Sequence, residues 1–209
     1  VRYDLFEVDF QQKNADRTRL KTSDDLISPR FGLIYKPFEP VSFYVSYSQA
    51  YVPRAGDQLT SLNITTAVLK PEKFTTPETG VKWDIRPDLA LTGAVFQLDR
   101  TNVITVDPNN SSRSFLTKGQ RTEGIEISLN GQLTSSWSVM GGYAYQVGEI
   151  TSSQSAAALK GASVAELPRH TFSVWNRYDF TPRLGAAFGV IYRGDMFAAT
   201  DNTVKIPDF

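Results

Sequence analysis

The stretch VSFYVSYSQAY, residues 41–51, alternates between two kinds of side chain. One set is apolar and mostly aromatic: Val41, Phe43, Val45, Tyr47 and Tyr51. The intervening set is small and mainly hydroxylic, apart from Tyr44: Ser42, Ser46, Ser48 and Ala50. Because successive side chains of a strand point to opposite faces, the period of two predicts a strand with one apolar and one polar face. A helix would spread these residues around its circumference, so the pattern excludes a helix here.

The composition narrows the class of protein. The 209 residues are 41% hydrophobic and 12% aromatic, which is enough apolar material for a folded domain. Lys and Arg (22) balance Asp and Glu (22), so the chain has no basic field to hold nucleic acid, and we expect no nucleic-acid partner. The absence of Cys excludes thiolate metal sites and disulfides but leaves the compartment open.

No run of about 18 apolar residues occurs, so the sequence predicts no transmembrane helix. The mean hydropathy of -0.27 resembles that of a soluble protein. A membrane β-barrel has a similar value, because its lipid-facing residues alternate with polar ones.

The whole chain has the pattern of about nine antiparallel strands, joined alternately by tight and by long connections. Tight turns are predicted near Pro37, Pro87, Ser135 and Pro182, and longer connections after Phe10, Tyr51, Asp107 and Ile150. The polar residues 11–25 are predicted to form the first loop, with the second strand starting near Ile27. In an up-and-down meander this order places every tight turn at one end, as in outer-membrane barrels.

The charges of the stretch HTFSVWNRYDF, residues 170–180, collect on one face. Arg177 and Asp179 share that face with Trp175, while the other face carries Phe172 and Val174. A Lys or Arg facing lipid near the midplane costs roughly 2 to 4 kcal/mol, so charges are expected on the lumen side of a barrel. Half-exposed strands of a soluble all-β protein have the same alternation, so this pattern alone leaves both classes open.

Several long runs resemble the C-terminal half of the barrel of TonB-dependent siderophore receptors. They cover nearly the whole chain in the family's order: SPRFGLIYKPFEPVSFYVSYSQAYVPRAGDQL, LKPEKFTTPETGVKWDI, LALTGAVFQLDRTNV, QRTEGIEISLNGQLTSSWSVMGGYAY, ELPRHTFSVWNRYDFTPRLGAAFGVIYRGDMF and DNTVKIPDF. The GDQ of residues 56–58, after the SYSQAY strand, most resembles the catecholate branch. The resemblance implies a bacterial outer-membrane barrel of about 22 strands, filled by an N-terminal plug. Such receptors import ferric siderophores with energy from the inner-membrane TonB complex.

The fold class expected from these observations is all-β: an antiparallel up-and-down transmembrane β-barrel, present as an open fragment. Residues 1–209 would form one partial barrel domain, without the plug, the early strands and the C-terminal strands. The chain opens at Val1 inside an apparent strand and closes at Phe209 after a loop-like segment, and we interpret both ends as cuts.

One departure from the family pattern concerns the strand around Glu78. Pro77 precedes this residue where the family usually has an aromatic residue, and Thr79 follows it where the family has an aliphatic one. Proline has no N–H to donate, so the sequence predicts disturbed strand pairing near Pro77.

Motifs of catalysis and of metal binding are missing. His170 is the single His, and it lacks sequence partners for a triad or a metal site. The run after Asp107 mimics a calcium loop, but Ser112 stands where Gly is needed and Lys118 where Glu is needed. Glu123 and Glu126 are three residues apart on a strand and point to opposite faces, which argues against glycosidase chemistry. We therefore expect no enzyme, no catalytic residue, no metal site and no cofactor, with iron carried only as part of a ferric siderophore.

A ferric catecholate complex is an anion with aromatic rings, so its first contacts should combine Arg or Lys with aromatic residues at the extracellular mouth. The sequence predicts substrate-binding residues in the loops at that end: Tyr51, Arg54, Asp57, Gln58, Arg113, Phe115, Met196 and Phe197. Arg54 is the preferred candidate, because it lies beside the GDQ stretch with an aromatic residue nearby. The other expected partners are outer-membrane lipid and the TonB complex, the latter reached through a plug.

Two other functions remain open on the residues alone. A passive porin would have no plug before the barrel strands. A soluble β-rich binding or adhesion protein would stay monomeric without detergent.

Overall fold

The computed structural model describes residues 1–11, 19–53, 70–107, 110–117, 119–152 and 159–209. Regular structure in these residues is all β, as the sequence predicts. None of the described residues belongs to a helix long and apolar enough to cross a membrane.

Fourteen strands follow one another in the described residues. Their bounds are β1 Arg2–Gln11, β2 Arg19–Ser28, β3 Arg30–Phe38, β4 Val41–Val52, β5 Glu72–Arg86, β6 Leu89–Thr101, β7 Val103–Asp107, β8 Asn110–Thr117, β9 Gly119–Thr134, β10 Trp137–Ser152, β11 His170–Thr181, β12 Leu184–Arg193, β13 Met196–Phe197 and β14 Lys205–Ile206.

Eight of these strands form one antiparallel sheet in the order β12-β11-β10-β9-β6-β5-β4-β3. Neighbours in the sheet follow one another in the chain, except that the β7–β8 hairpin is inserted between β6 and β9. β1 with β2, β7 with β8, and β13 with β14 form separate two-stranded sheets. The main sheet is therefore an open meander with β3 and β12 at its edges. Beside β12, Arg193 and Phe209 exchange two backbone hydrogen bonds of 2.9 and 3.1 Å.

The predicted alternation of connections is confirmed. Two-residue turns lie at Glu39–Pro40, Pro87–Asp88, Ser135–Ser136 and Pro182–Arg183, all at one end of the main sheet. We call this the turn end. The connections β4–β5, β6–β9 and β10–β11 are all longer and leave the opposite end, which we call the loop end.

Each face of the sheet carries its own kind of side chain, because residues paired directly across strands share a face. One row, which defines the apolar face, runs Tyr35, Phe43, Val81, Gly93, Ile127, Tyr143, Phe172 and Tyr192. A neighbouring row, which defines the polar face, runs Tyr44, Gly80, Ala94, Glu126, Ala144 and Thr171.

The apolar face is exposed in this chain. Phe43 and Ile127, in the middle of the sheet, keep 48% and 47% of their surface accessible. Buried hydrophobic residues are few in the described ranges: Leu20, Leu26, Leu89, Val103, Val139 and Ile150. The main sheet is thus a single layer, with no second layer of described residues packed on its apolar face.

Aromatic residues on the polar face lie flat over glycines of the next strand. Pairing places Tyr44 opposite Gly80, and a Cβ at Gly80 would be 2.7 Å from the Tyr44 ring. The pairs Phe96–Gly124 and Trp175–Gly189 repeat this arrangement. The missing Cβ lets each ring lie against the sheet, so that a large side chain is accommodated on the polar face.

The expectation that residues 11–25 form a loop was wrong for the part from Arg19 onward. Those residues belong to β2, which pairs with β1 over its whole length, from Arg2↔Ser28 to Gln11↔Arg19. Leu20 is buried against Phe6, Val8 and Phe10 of β1, and this contact stabilises a strand that is mostly polar. The predicted strand from Ile27 to Lys36 is divided at Pro29, so that β2 ends at Ser28 and β3 begins at Arg30.

Pro77 interrupts one ladder without shifting it, in line with the disturbance expected there. The β5–β6 pairs skip from Thr75↔Asp99 to Glu78↔Phe96, and the register is the same on both sides. The β4–β5 ladder is continuous through Tyr47↔Pro77. Asp84 N donates to Pro40 O at 2.8 Å. The backbone N–H and C=O groups of even-numbered residues of β5 therefore bond to β4, and those of odd-numbered residues point toward β6. The ring nitrogen of Pro77 therefore lies where a donor to the Gln97 carbonyl would be.

Replacing Pro77 with Val in the intact protein is expected to raise its stability by about 1 kcal/mol. An orphaned carbonyl costs about 1 to 3 kcal/mol, and the loss of proline rigidity in the unfolded chain offsets roughly 0.4 to 1 kcal/mol. The measurement is the thermal unfolding midpoint in detergent. Val81→Pro, at another odd-numbered position of the same strand and face, is the matched control and should lower the midpoint. An unchanged or lower midpoint for Pro77→Val would mean that the two missing ladder pairs do not reduce the stability of the protein.

The sequence predicts that the apolar face contacts lipid. A charged side chain should therefore destabilise the protein more on the apolar face than on the polar face. Arg at Ile127 or Val174 should lower the yield of the membrane-inserted intact protein, because each places a cation in lipid at a cost of about 2 to 4 kcal/mol. Arg at the adjacent Ser128 or Ser173, on the polar face, should leave the yield near that of the parent. Quantitative blotting of membrane fractions compares the two pairs. Equal yields would refute the assignment of the faces.

Candidate functional site

The predicted ligand-binding residues that fall within the described ranges all lie at the loop end. Tyr51 is near the end of β4, where its hydroxyl is 2.6 Å from Gln49 Nε2. It occupies the strand side of Val41 and Tyr47, opposite to that of Tyr44. Arg113 and Phe115 have their backbone in β8, and Met196 and Phe197 form β13.

The remaining candidates, Arg54, Asp57 and Gln58, lie outside the described residues. Their role therefore stays a prediction from the sequence.

A pocket of about 280 Å³ at the loop end brings Met196 and Phe197 together with residues that the sequence analysis had not singled out. We call it the loop-end pocket. Its lining comes from β10, from the segment before β11 and from β13–β14: Gln146, Val147, Gly148, Ser163, Val164, Leu167, Arg169, Asp195, Met196, Phe197 and Lys205.

One wall of the loop-end pocket is formed by residues 159–169, which come directly before β11 in the chain. They lie along the same edge of β10 as β11 does, closer to the loop end. Ile150 N donates to Ala162 O at 2.8 Å, and Val164 N donates to Gly148 O at 3.0 Å. Gln146 N donates to Arg169 O at 3.0 Å. The backbone of this segment is thus fixed to β10 at several points.

The other wall is tied to the first by Asn202, which lies between β13 and β14. Its side-chain amide bonds Ser163 twice: Ser163 N donates to Asn202 Oδ1 at 2.7 Å, and Asn202 Nδ2 donates to Ser163 O at 3.0 Å. Glu166 N donates to Phe197 O at 2.8 Å. Asn202 has φ of 56°, a conformation that Asn tolerates better than most residues. These bonds make the two walls one structural unit.

The absence of a side chain at Gly148 allows the first wall to close over β10. An added Cβ would collide with Leu167 Cδ2 and would lie 3.0 Å from Val164 Cβ. Gly142, six residues earlier on the same side of β10, has its nearest neighbour at 3.6 Å and is open by comparison.

Charges lie at the mouth of the loop-end pocket. Lys205 Nζ and Asp195 Oδ2 form an ion pair in which both side chains are more than half exposed. The hydrogen bond from Lys205, followed by the charges of Lys205 and Arg169, holds the pKa of Asp195 below its ordinary value. Asp195 is therefore ionised at neutral pH, and the stabilising contact is lost only in acid, as the pH falls through this lowered pKa.

A second polar cluster lies in the middle of the polar face. Tyr44 Oη donates to Glu78 Oε1 at 2.7 Å, and Lys82 Nζ lies 5.7 Å from the centre of the Tyr44 ring. Glu126 is in the same cross-strand row as Tyr44. The signal in the sequence was the ETGVKW run, which places Glu78 and Lys82 on the same side of β5. Two carboxylates and one ammonium give this cluster a net negative charge.

Both faces become polar toward the loop end. On the side of the polar face, Arg100 pairs with Glu72 at 2.7 Å and lies 5.2 Å from the Phe74 ring centre. On the side of the apolar face, Arg121 pairs with Asp99 at 2.7 Å. These ion pairs mark the level at which the apolar face ends.

His170 is the first residue of β11. Its Nδ1 is 2.8 Å from Tyr143 Oη, and its ring centre is 5.1 Å from that of Tyr145. Within the described ranges, no group of three or more His, Asp or Glu side chains is arranged to hold a metal ion.

A single-layer meander with its loops at one end and an exposed apolar face defines a segment of a β-barrel wall. The chain belongs to the TonB dependent receptor-like β-barrel family, whose model matches residues 1–209. This confirms the family resemblance drawn from the sequence.

Named relatives make the similarity more specific. The chain is 32% identical to a probable TonB-dependent receptor, BfrD, of Bordetella pertussis over 88% of this chain and 25% of the relative. It is 30% identical to the catecholate siderophore receptor Fiu of Escherichia coli over 90% of this chain and 25% of the relative. The crystal structure of the siderophore receptor PiuA from Acinetobacter baumannii superposes with a TM-score of 0.83 at 26% identity, covering 99% of this chain and 32% of that one. The chain thus spans about a quarter to a third of the length of these proteins.

Gly148→Ala is expected to loosen residues 159–169 in the intact receptor, because the new Cβ overlaps Leu167. Trypsin cleavage after Lys160 should become several-fold faster, since the bond between Lys160 and Gly161 must leave the edge of β10, where Gly161 N donates to Ile150 O, to enter the protease. Gly142→Ala, on the same side of the same strand, is the control and should leave the cleavage rate unchanged. Equal rates for the two variants would show that the packing at Gly148 does not hold the segment.

Proposed function

We propose that this chain forms part of the barrel wall of a bacterial outer-membrane receptor that takes up ferric siderophores with energy supplied through TonB. The observation that carries the proposal is the eight-stranded meander with its exposed apolar face, in a chain that belongs to the TonB-dependent receptor family. Two of the named relatives are siderophore receptors. The family is one of receptors, and in this proposal iron is cargo rather than a resident cofactor.

In the proposed receptor the apolar face contacts outer-membrane lipid and the polar face lines the lumen. The exposure of Phe43, Val45 and Ile127 supports this orientation, because such a surface is stable only against lipid or another apolar partner. Polar residues in the lumen need partners there as well. The Tyr44–Glu78–Lys82–Glu126 cluster has an excess of negative charge, and a plug with basic groups at this level would compensate it.

The partners follow from this arrangement. In the proposed receptor the ferric siderophore enters from the loop end, and the TonB complex acts through a plug inside the lumen. No nucleic acid is a partner, in keeping with the balance of 22 basic and 22 acidic residues.

The proposed ligand class is a ferric catecholate. It is supported by the GDQ stretch at residues 56–58 and by the catecholate receptor Fiu among the relatives. Arg and aromatic residues at the loop end suit an anion with aromatic rings.

Uptake of iron-55 tests the proposal. The complete receptor is produced in a strain without other siderophore receptors, with and without TonB, and is offered an iron-55 tris-catecholate. The account predicts uptake that requires both the receptor and TonB. Uptake without TonB, together with passage of unrelated small solutes, would indicate the porin alternative instead.

Arg54→Ala in the intact receptor is expected to weaken binding of the ferric catecholate by about 1 to 3 kcal/mol, the range of a charge-assisted hydrogen bond. Fluorescence quenching of purified receptor gives the affinity. Receptor abundance should not change. Arg183→Ala, in a tight turn at the opposite end, is the control and should bind like the parent. Unchanged affinity of the Arg54 variant at normal abundance would remove this residue from the site.

A further inference from the structure

The loop-end pocket combines an apolar floor with a charged rim. Val164, Leu167, Met196 and Phe197 are half-buried in its lining. Arg169, Asp195 and Lys205 are exposed at its edge. This division suits a ligand group with an apolar body and a charged end.

The three rim charges do not cancel. Lys205 pairs with Asp195, while Arg169 acts on Asp195 without forming an ion pair with it. Among the charged side chains that line the pocket, two are positive and one is negative. An anion approaching the pocket is therefore attracted by Arg169, and it competes with Asp195 for Lys205.

We propose that the loop-end pocket is a subsite for one anionic, aromatic arm of the ferric ligand, with Arg169 as its charged contact and Phe197 as part of its apolar floor. The inference rests on the proposed function, because it concerns the ligand of that receptor. The volume of about 280 Å³ lies just below the usual range for drug-sized ligands, roughly 300 to 1,000 Å³, so the pocket takes one arm of the complex and not the whole.

Asp195 has the opposite effect to Arg169 in this subsite. Its carboxylate repels an incoming anion and occupies Lys205, so it reduces affinity for anionic ligands and discriminates among them by charge. A purely structural role of the same groups predicts something else. If the rim only held the two walls together, removal of Arg169 and removal of Asp195 would both loosen the pocket and both weaken binding.

The experiment uses three forms of the intact receptor that differ in rim charge: Arg169→Gln, the parent and Asp195→Asn. Two probes are titrated by fluorescence quenching at low salt, the ferric complex of a tris-catecholate, which is an anion, and a neutral ferric trihydroxamate. Arg183→Gln, at the turn end, is the control for loss of a cation elsewhere. Trypsin cleavage after Lys160 reports on the integrity of the pocket wall in each form.

For the anionic probe we expect Arg169→Gln to weaken binding about two- to fivefold and Asp195→Asn to strengthen it by a similar factor, the size usual for exposed charges. The affinity for the neutral probe should be the same in both variants as in the parent, and the rate of trypsin cleavage should not change. The anion effects should shrink as salt is added.

Several outcomes would overturn the subsite. Weaker binding by both variants, with faster trypsin cleavage, would assign the rim a structural role only. Parent-like affinity of both variants for the anionic probe would remove the pocket from the binding path while leaving the receptor function intact. If the parent bound neither ferric complex, the proposed function itself would fail.

Discussion

Lateral backbone hydrogen bonding between neighbouring strands is the constraint on which this structure depends. The interior strands of the main sheet, β4, β5, β6, β9, β10 and β11, pair on both sides, so most of their N–H and C=O groups are satisfied within the sheet. Side chains are then free to face two different environments, one apolar and one polar, without an apolar core between layers. The exposed Phe43 and Ile127 and the small number of buried hydrophobic residues follow from this arrangement. Proline shows how strict the constraint is, since Pro29 divides a strand and Pro77 removes two ladder pairs while the register on either side is kept.

The same constraint separates the function of the two ends. Two-residue turns at the turn end leave little chain for recognition, whereas the loop end supplies long connections that can build pockets. There the chain adds backbone bonds to β10 through residues 159–169 and fastens the next connection to them through Asn202. The loop-end pocket is therefore rigid where it meets the sheet. In the proposed receptor this would place a preorganised surface at the mouth.

Local patterns predicted most of the main sheet. The period of two identified β4 and β9, because one side of each strand is apolar and this signal needs no knowledge of partners. It missed β2, whose Leu20 and Leu26 are separated by polar residues and whose strand form depends on pairing with β1. Part of the site could not be predicted from the sequence, for a related reason. Residues near positions 148, 167, 195 and 205 meet only because β10, β11 and β12 are adjacent in the sheet, and no spacing in the chain reports that contact. Met196 and Phe197 were found through their aromatic or apolar character beside a strand end, but Arg169 and Asp195 were not.

The two-faced sheet is tested most directly by spin labels placed one at a time along β9, at residues 125 to 130, in the intact receptor reconstituted in lipid. Power saturation measures collisions of each label with oxygen, which concentrates in lipid, and with a water-soluble nickel complex. The account predicts a period of two. Labels at Ile125, Ile127 and Leu129 should favour oxygen, and those at Glu126, Ser128 and Asn130 should be shielded from lipid. Accessibility without this alternation would contradict the assignment of one face of the sheet to lipid and the other to the lumen.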